Sequence, residues 1–278
     1  MKYVISLLML FSLTANAEIT VINPSNKASP ATVFAMAYKD ALGDGVKFYQ
    51  SQTCEDAQTM FDSSKNSVMI YNSSIEFAAR DKGLNCKLDD ANISKVVFIG
   101  KQYMSVCTLK GTNKSFKDEK VVMGMPSMYS TKLHEDDYKS NNINMTLIPY
   151  GGSKDIITAL LNKDITHGFI ATSMASKIKE FDCAYSTNPA DSNYIGNTLK
   201  LKVPDFRVTY VVYTNSTDES IIKRLKDVEK NQQFIEFIST TGTISDWKVT
   251  KEDVNKVSEY VDTMVKHWSS PKSSWWFW

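Results

Sequence analysis

At 278 residues, 42% of them hydrophobic, the chain is long enough to bury a sizeable core as one large domain or two of ordinary size. A formal net charge of +1 leaves no electrostatic footprint for nucleic acid. Low-complexity runs and repeats of solenoid period are absent, and no segment after residue 17 is apolar for long enough to span a bilayer.

Met1-Lys2, an apolar run over residues 3–13 and the A-x-A pattern of Ala15-Asn16-Ala17 predict a signal peptide over residues 1–17, cleaved after Ala17. The run falls short of the roughly 20 residues a spanning helix needs. No cysteine stands at the cleavage site to carry a lipid.

Residues 18–23 read as a first strand and 24–29 as a polar loop holding Ser25, Asn26, Ala28 and Ser29. Residues 30–42 read as a helix, with Thr32 near its start and an apolar face of Val33, Met36, Ala37 and Ala41. A strand over 46–49 and a helix over 54–63 follow. Residues 67–74 form a buried strand running into a loop where Asn72, Ser73 and Ser74 offer amide and hydroxyl donors. An ordinary strand-end turn is the other reading of that loop.

Residues 95–100 and 103–107 read as paired strands, the second crossing toward another part of the fold. A buried strand over 120–124 leads into a loop over 125–131 that contains Ser127 and Ser130, with His134 shortly after. The most informative stretch is 144–173, which reads as strand, glycine loop, helix, turn and strand, one right-handed βαβ unit. Its loop, Tyr150-Gly151-Gly152-Ser153, leaves backbone N–H groups at a helix start, where the dipole favours an anion. A tight turn with no ligand is the alternative, because Gly-Gly-Ser alone is a weak motif. The helix carries Ile156, Ile157, Leu160 and Leu161 at three- and four-residue spacing, and the second strand, 168–171, ends in Thr172-Ser173. Residues 174–179 read as a short helix, 184–199 as irregular, and 206–213 as an alternating strand carrying the chain back. Helices over 218–228, 232–239 and 254–268 complete the pattern.

Strands alternating with helices argue for parallel sheets covered on both faces, with ligands bound beyond the strands' carboxyl ends. The serine- and glycine-bearing loops all sit at such ends. A hydrolase is disfavoured, since the three histidines (His134, His167 and His267) lack a G-x-S-x-G elbow. His167 reads as a packing residue beside Gly168, and His267 suits the negative end of the last helix. His134, near the 125–131 loop, is the one candidate for ligand contact. Arginine occurs only at Arg80, Arg207 and Arg224, outside these loops, so a bidentate guanidinium clamp is not expected. Capture through backbone N–H groups, hydroxyls and bridging waters fits better. Cys54, Cys86, Cys107 and Cys183 match no zinc spacing, and in an exported protein they suggest two disulfides.

The string Ile148-Pro149-Tyr150, Gly151-Gly152, Ala159-Leu160-Leu161 and Gly168-Phe169 resembles the periplasmic receptors of tripartite tricarboxylate transporters, the TctC or Bug family of solute-binding proteins. Supporting positions are Pro24 before the first helix, the serine loop at 72–74, Gly124 with Ser127, Ser130 and His134, and a last helix ending in Trp268. The chain departs from the family in its first loop. Ala28-Ser29 replace two glycines, and the family's Asp and Arg positions fall near Thr32 and Met36.

The resemblance implies a two-lobe α/β periplasmic binding protein of type II, with a ligand cleft between two doubly wound sheets. Residues 18–104 and 206–268 would form lobe 1, and residues 105–205 lobe 2. Cys54–Cys86 would then lie within one lobe and Cys107–Cys183 within the other. The implied function is capture of a small organic carboxylate for a membrane transporter, by a monomer with no cofactor, metal or catalysis. The implied partners are integral membrane subunits, and the implied contacts come from Ser25, Asn26, Ala28, Ser29, Thr32, Asn72, Ser73, Ser74, Ser127, Ser130, His134, Tyr150, Gly151, Gly152, Ser153, Thr172 and Ser173. Residues 269–278, ending Trp275-Trp276-Phe277-Trp278, have no family counterpart. They fit either a docking patch or a segment folded back on lobe 1. A sensor or interaction protein that kept the fold and docks through this tail is the rival expectation.

Overall fold

The computed structural model describes residues 18–25, 30–51, 53–73, 96–112, 115–116, 120–126 and 128–268. The strands are β1 (Ile19–Asn23), β2 (Val46–Gln50), β3 (Ser67–Asn72), β4 (Val96–Leu109), β5 (Val121–Met125), β6 (Met145–Pro149), β7 (His167–Ala171), β8 (Phe181–Ser186), β9 (Arg207–Thr214) and β10 (Ile244–Asp246). The helices are α1 (Pro30–Leu42), α2 (Cys54–Ser63), α3 (Met128–Ser140), α4 (Ser153–Leu161), α5 (Thr172–Ala175), α6 (Glu219–Asp227), α7 (Gln232–Thr241) and α8 (Lys251–Trp268). Local chemistry sets their ends. Thr53, Asp218 and Asn231 cap α2, α6 and α7 by accepting from Asp56, Ser220 and Phe234 N–H groups. Pro30, with its fixed φ and no N–H to leave orphaned, opens α1.

One curled mixed sheet holds all ten strands. Its first half runs β2-β1-β3-β9-β4 and its second β6-β5-β7-β4-β8, so the same order appears twice. In each half a single strand, β9 or β4, runs antiparallel to its neighbours. β4 belongs to both halves: Val96 to Tyr103 pair with β9, and Met104 to Cys107 pair with β7. The two paired strands expected over 95–107 are therefore one strand of 14 residues. A turn was not needed, because the chain passes straight from one half-sheet to the other. β8 and β10 were not expected; both lie along β4.

Helices cover both faces of each half. α1, α6 and α7 enclose Phe34, Tyr38, Phe98, Val212 and Phe234 on one face of the first half, with Phe34 stacked on Tyr210 at 4.5 Å. On the other face Phe61, Met69, Val211 and Tyr213 meet Val254 and Val257 of α8. In the second half, α3 and α8 cover Met104, Met123 and Phe169, while α4 covers Cys107, Ile165 and Ile170. Each of these large side chains contributes roughly 1.5–3 kcal/mol on burial. The buried stripe of α1 is Ala31, Phe34, Ala35, Tyr38 and Leu42, whereas Val33 and Met36 are exposed. The expected face was rotated by one position, because Phe34 and Tyr38 bury more area than the smaller residues beside them.

α8 packs against both halves. Its first turns pack on the first half, but Tyr260, Val261 and Met264 join the second core, and His267 Nε2 lies 3.1 Å from the Leu133 carbonyl oxygen. Tyr260 Oη accepts from Arg207 N at 2.7 Å and donates to Arg207 O at 2.8 Å, while the guanidinium lies over the Tyr260 ring. The last helix is thus a strap across both halves. Cys107 and Cys183, register partners on β4 and β8, are disulfide-bonded. Cys54 is also disulfide-bonded, while Cys86 lies outside the described residues.

Candidate functional site

In register, Asn72 at the end of β3 faces Tyr210, and Tyr210 faces Gly100. At the end of β7, Ala171 faces Met104. The carboxyl ends of the parallel strands of both halves therefore converge on one stretch of β4, four residues or roughly 13 Å apart at the usual rise. Each half also reverses its winding at a central strand, β1 in the first and β5 in the second. Such switch points are where open α/β sheets bind ligands.

At the first switch point Asn23 organises the loop. Its Nδ2 donates to Thr32 Oγ1 at 2.7 Å and Gln50 Oε1 at 3.1 Å, and its Oδ1 accepts from Ser25 N at 3.3 Å. Gln50 Nε2 returns to the carbonyls of Asn23 and Ser25. Ser25 is buried, and its Oγ has no partner among the described residues. Asn72, the last residue of β3, and Ser73 after it are buried, and Ser73 Oγ accepts from Thr209 N at 3.0 Å. Asn23, Gln50 and Thr209 were missed. An asparagine closing a buried strand before Pro24 was the available signal.

In the second half the glycine loop is less open than expected. The Tyr150 N–H donates to Met125 O at 2.8 Å, and Ser153 Oγ accepts from Ala171 N at 3.0 Å, tying α4 to the end of β7. Asp155 stands in the first turn of α4, its Oδ2 2.8 Å from where a Cβ on Gly151 would lie. This helix start already has its own negative charge. Thr172 Oγ1 and Ser105 Oγ are 2.9 Å apart, whereas Ser173 Oγ is buried without a partner among the described residues. Ser130 is buried at the start of α3. Asn26, Ala28, Ser29, Ser74, Ser127 and the 269–278 tail lie outside the described residues.

His134 belongs to the core and not to a loop surface. It is 1% exposed between Phe169 and Phe206, and neither ring nitrogen has a partner among the described residues. Burial, with His267 nearby, pushes its pKa down to about 3, so it is neutral at pH 7. His167 is buried as a packing residue, its pKa lowered to about 4 by desolvation. Thr187 ties the two crossing strands, accepting from Met104 N at 2.9 Å and donating to Phe206 O at 2.6 Å. Across the halves, Lys177 Nζ donates to Thr240 O at 3.1 Å, and Ser173 packs against Gly242.

The chain matches no protein-family model and no curated protein. It does match solved structures over most of its length. A TctC solute-binding protein from Polaromonas superposes with a TM-score of 0.62 at 10% identity, covering 91% of this chain and 99% of that one. MatC from Rhodopseudomonas palustris with bound malate gives 0.57 at 12%, covering 91% and 99%. An R. palustris protein with adipate gives 0.55 at 12%, covering 90% and 97%. At these identities the likeness establishes the fold: this chain has the two-lobe α/β fold of periplasmic solute-binding proteins.

Proposed function

We propose that the chain is an extracytoplasmic solute receptor that captures a small organic carboxylate between its lobes and delivers it to a membrane transporter. The observation that carries this reading is the convergence of both sets of strand ends on one stretch of β4, with the buried Ser25 and Ser173 hydroxyls left over on opposite sides. Malate and adipate in proteins of the same fold supply the ligand class. Lobe 1 comprises residues 18–104 and 206–259 and lobe 2 residues 105–205, with the end of α8 spanning both. Closure is a hinge motion across β4 and the Phe206–Arg207 crossing. The chemistry is binding through neutral donors, the location periplasmic after loss of residues 1–17, and the acting form a monomer that meets integral membrane subunits.

Thermal shift with a panel of di- and tricarboxylates tests the reading, since a ligand of the folded state raises Tm by mass action. Ser25→Ala and Ser173→Ala remove hydroxyls that bond to nothing described, so each leaves Tm without ligand within a degree or two. Each lowers affinity for the stabilising carboxylate about tenfold, as expected for one lost hydrogen bond to a charged group. No response to any carboxylate, or unchanged affinity in both variants, overturns the proposal.

A further inference from the structure

At the opposite end of the second half-sheet, away from the strand ends that converge on β4, lies a cavity of about 280 Å³. Leu109, Val121 and Ile165 make its apolar wall, Lys120 and Lys163 line it with exposed ammonium-bearing side chains, and Thr166 and His167 line its inner side. Among the described residues no acidic side chain lines it.

The Thr166 hydroxyl is coupled to the tautomer of His167. The Thr166 hydroxyl lies 2.9 Å from His167 Nδ1 and accepts from Val122 N at 2.9 Å. Val122 O accepts the Thr166 N–H at 2.9 Å and lies 3.1 Å from the same hydroxyl, so the hydroxyl proton has two acceptors within reach, Val122 O and Nδ1. When the hydroxyl donates to Nδ1, the ring proton sits on Nε2. That Nε2 is buried and has no partner among the described residues. Burial keeps the ring neutral at pH 7. In that tautomer Nε2 is a buried donor without an acceptor, in a residue lining a cavity flanked by two ammonium groups, which is an incomplete arrangement. An acceptor carrying negative charge completes it, and the apolar wall suits a short hydrocarbon body.

We propose that this cavity is a second binding site, separate from the interlobe cleft, for a short aliphatic carboxylate. The carboxylate lies between Lys120 and Lys163 and accepts from His167 Nε2, with its alkyl chain on Leu109, Val121 and Ile165. The site does not depend on the cleft reading.

The mature full-length protein is titrated with butyrate by calorimetry, and the ring signals of its three histidines are followed by NMR. Saturable binding that shifts the His167 ring resonances is expected. Lys120→Ala/Lys163→Ala, two changes on exposed side chains, weakens it at least tenfold, whereas Ser25→Ala/Ser173→Ala leaves it unchanged. His167→Gln, which keeps a donor, retains more affinity than His167→Leu. Absence of saturable butyrate binding, or binding indifferent to the lysine pair, overturns the proposal; so does binding abolished by the cleft serines.

Discussion

Two independent constraints meet at Gly242. It ends α7 in the left-handed region, at φ 60°, and a Cβ placed on it would overlap Ser173 Cβ and Oγ. Gly242→Ala therefore combines the left-handed penalty for a residue with a Cβ, about 1 kcal/mol, with overpacking, about 1–3 kcal/mol. The sum, roughly 2–4 kcal/mol, separates from the helix-cap effect by a double-mutant cycle. In a Ser173→Gly background the nearest remaining atom is the residue-173 Cα at 3.1 Å, so most of the overlap disappears while the left-handed penalty stays. Urea unfolding of the four proteins should show a coupling of about 1–3 kcal/mol in favour of the double variant. Strict additivity, or a Gly242→Ala loss below about 0.5 kcal/mol, would refute close contact between the lobes at this seam.

Acid should destabilise the protein before its carboxylates protonate. The folded pKa values of His134 and His167, about 3 and about 4, lie below the ordinary 6.5, so below pH 6.5 the unfolded chain takes up protons that the folded chain refuses. Stability falls as pH drops from 6.5 to 5, by roughly 1.4 kcal/mol per pH unit for each histidine, and His134→Leu should about halve the slope in urea titrations. Reducing the Cys107–Cys183 bond, which closes a separation of 76 residues, should lower stability by about 2–5 kcal/mol in the same assay, and an unchanged midpoint would count against its structural role. Gly152→Val should fold normally, because a Cβ there meets nothing within 4 Å, and should weaken carboxylate binding less than threefold by calorimetry.

The alternation of strands and helices, the buried runs and the return strand over 206–213 were legible because periodicity and strand length are local. The site was legible only in outline. Ser73, Ser153 and Thr32 were expected among the ligand contacts, and each hydroxyl accepts a hydrogen bond from its own fold. Sequence shows that a hydroxyl stands at a strand end but not which backbone N–H comes within 3 Å of it. His134 illustrates the same gap: it follows the 125–131 loop in sequence, but its direction, inward between Phe169 and Phe206, is decided by packing. β8 escaped notice because its burial comes from β4, a partner far along the chain, and not from any pattern of its own.

Charge around the strand ends narrows where an anion can sit. α2 and α4 follow the edge strands β2 and β6, and both carry acidic residues in the first turn, Glu55 and Asp56 in one and Asp155 in the other. α1 and α3 follow the switch-point strands β1 and β5, and neither has an acidic residue in its first turn. An anion at an edge helix meets a carboxylate that already interacts with the dipole; at a central helix no first-turn carboxylate competes with it. The Tyr150–Ser153 loop, for all its glycines, is an edge loop. The same strand order in both halves gives each half one such helix start. Under the proposed function, a ligand with two carboxylates would suit that pair of positions, one carboxylate to each lobe, with hinge closure bringing both helix ends onto it.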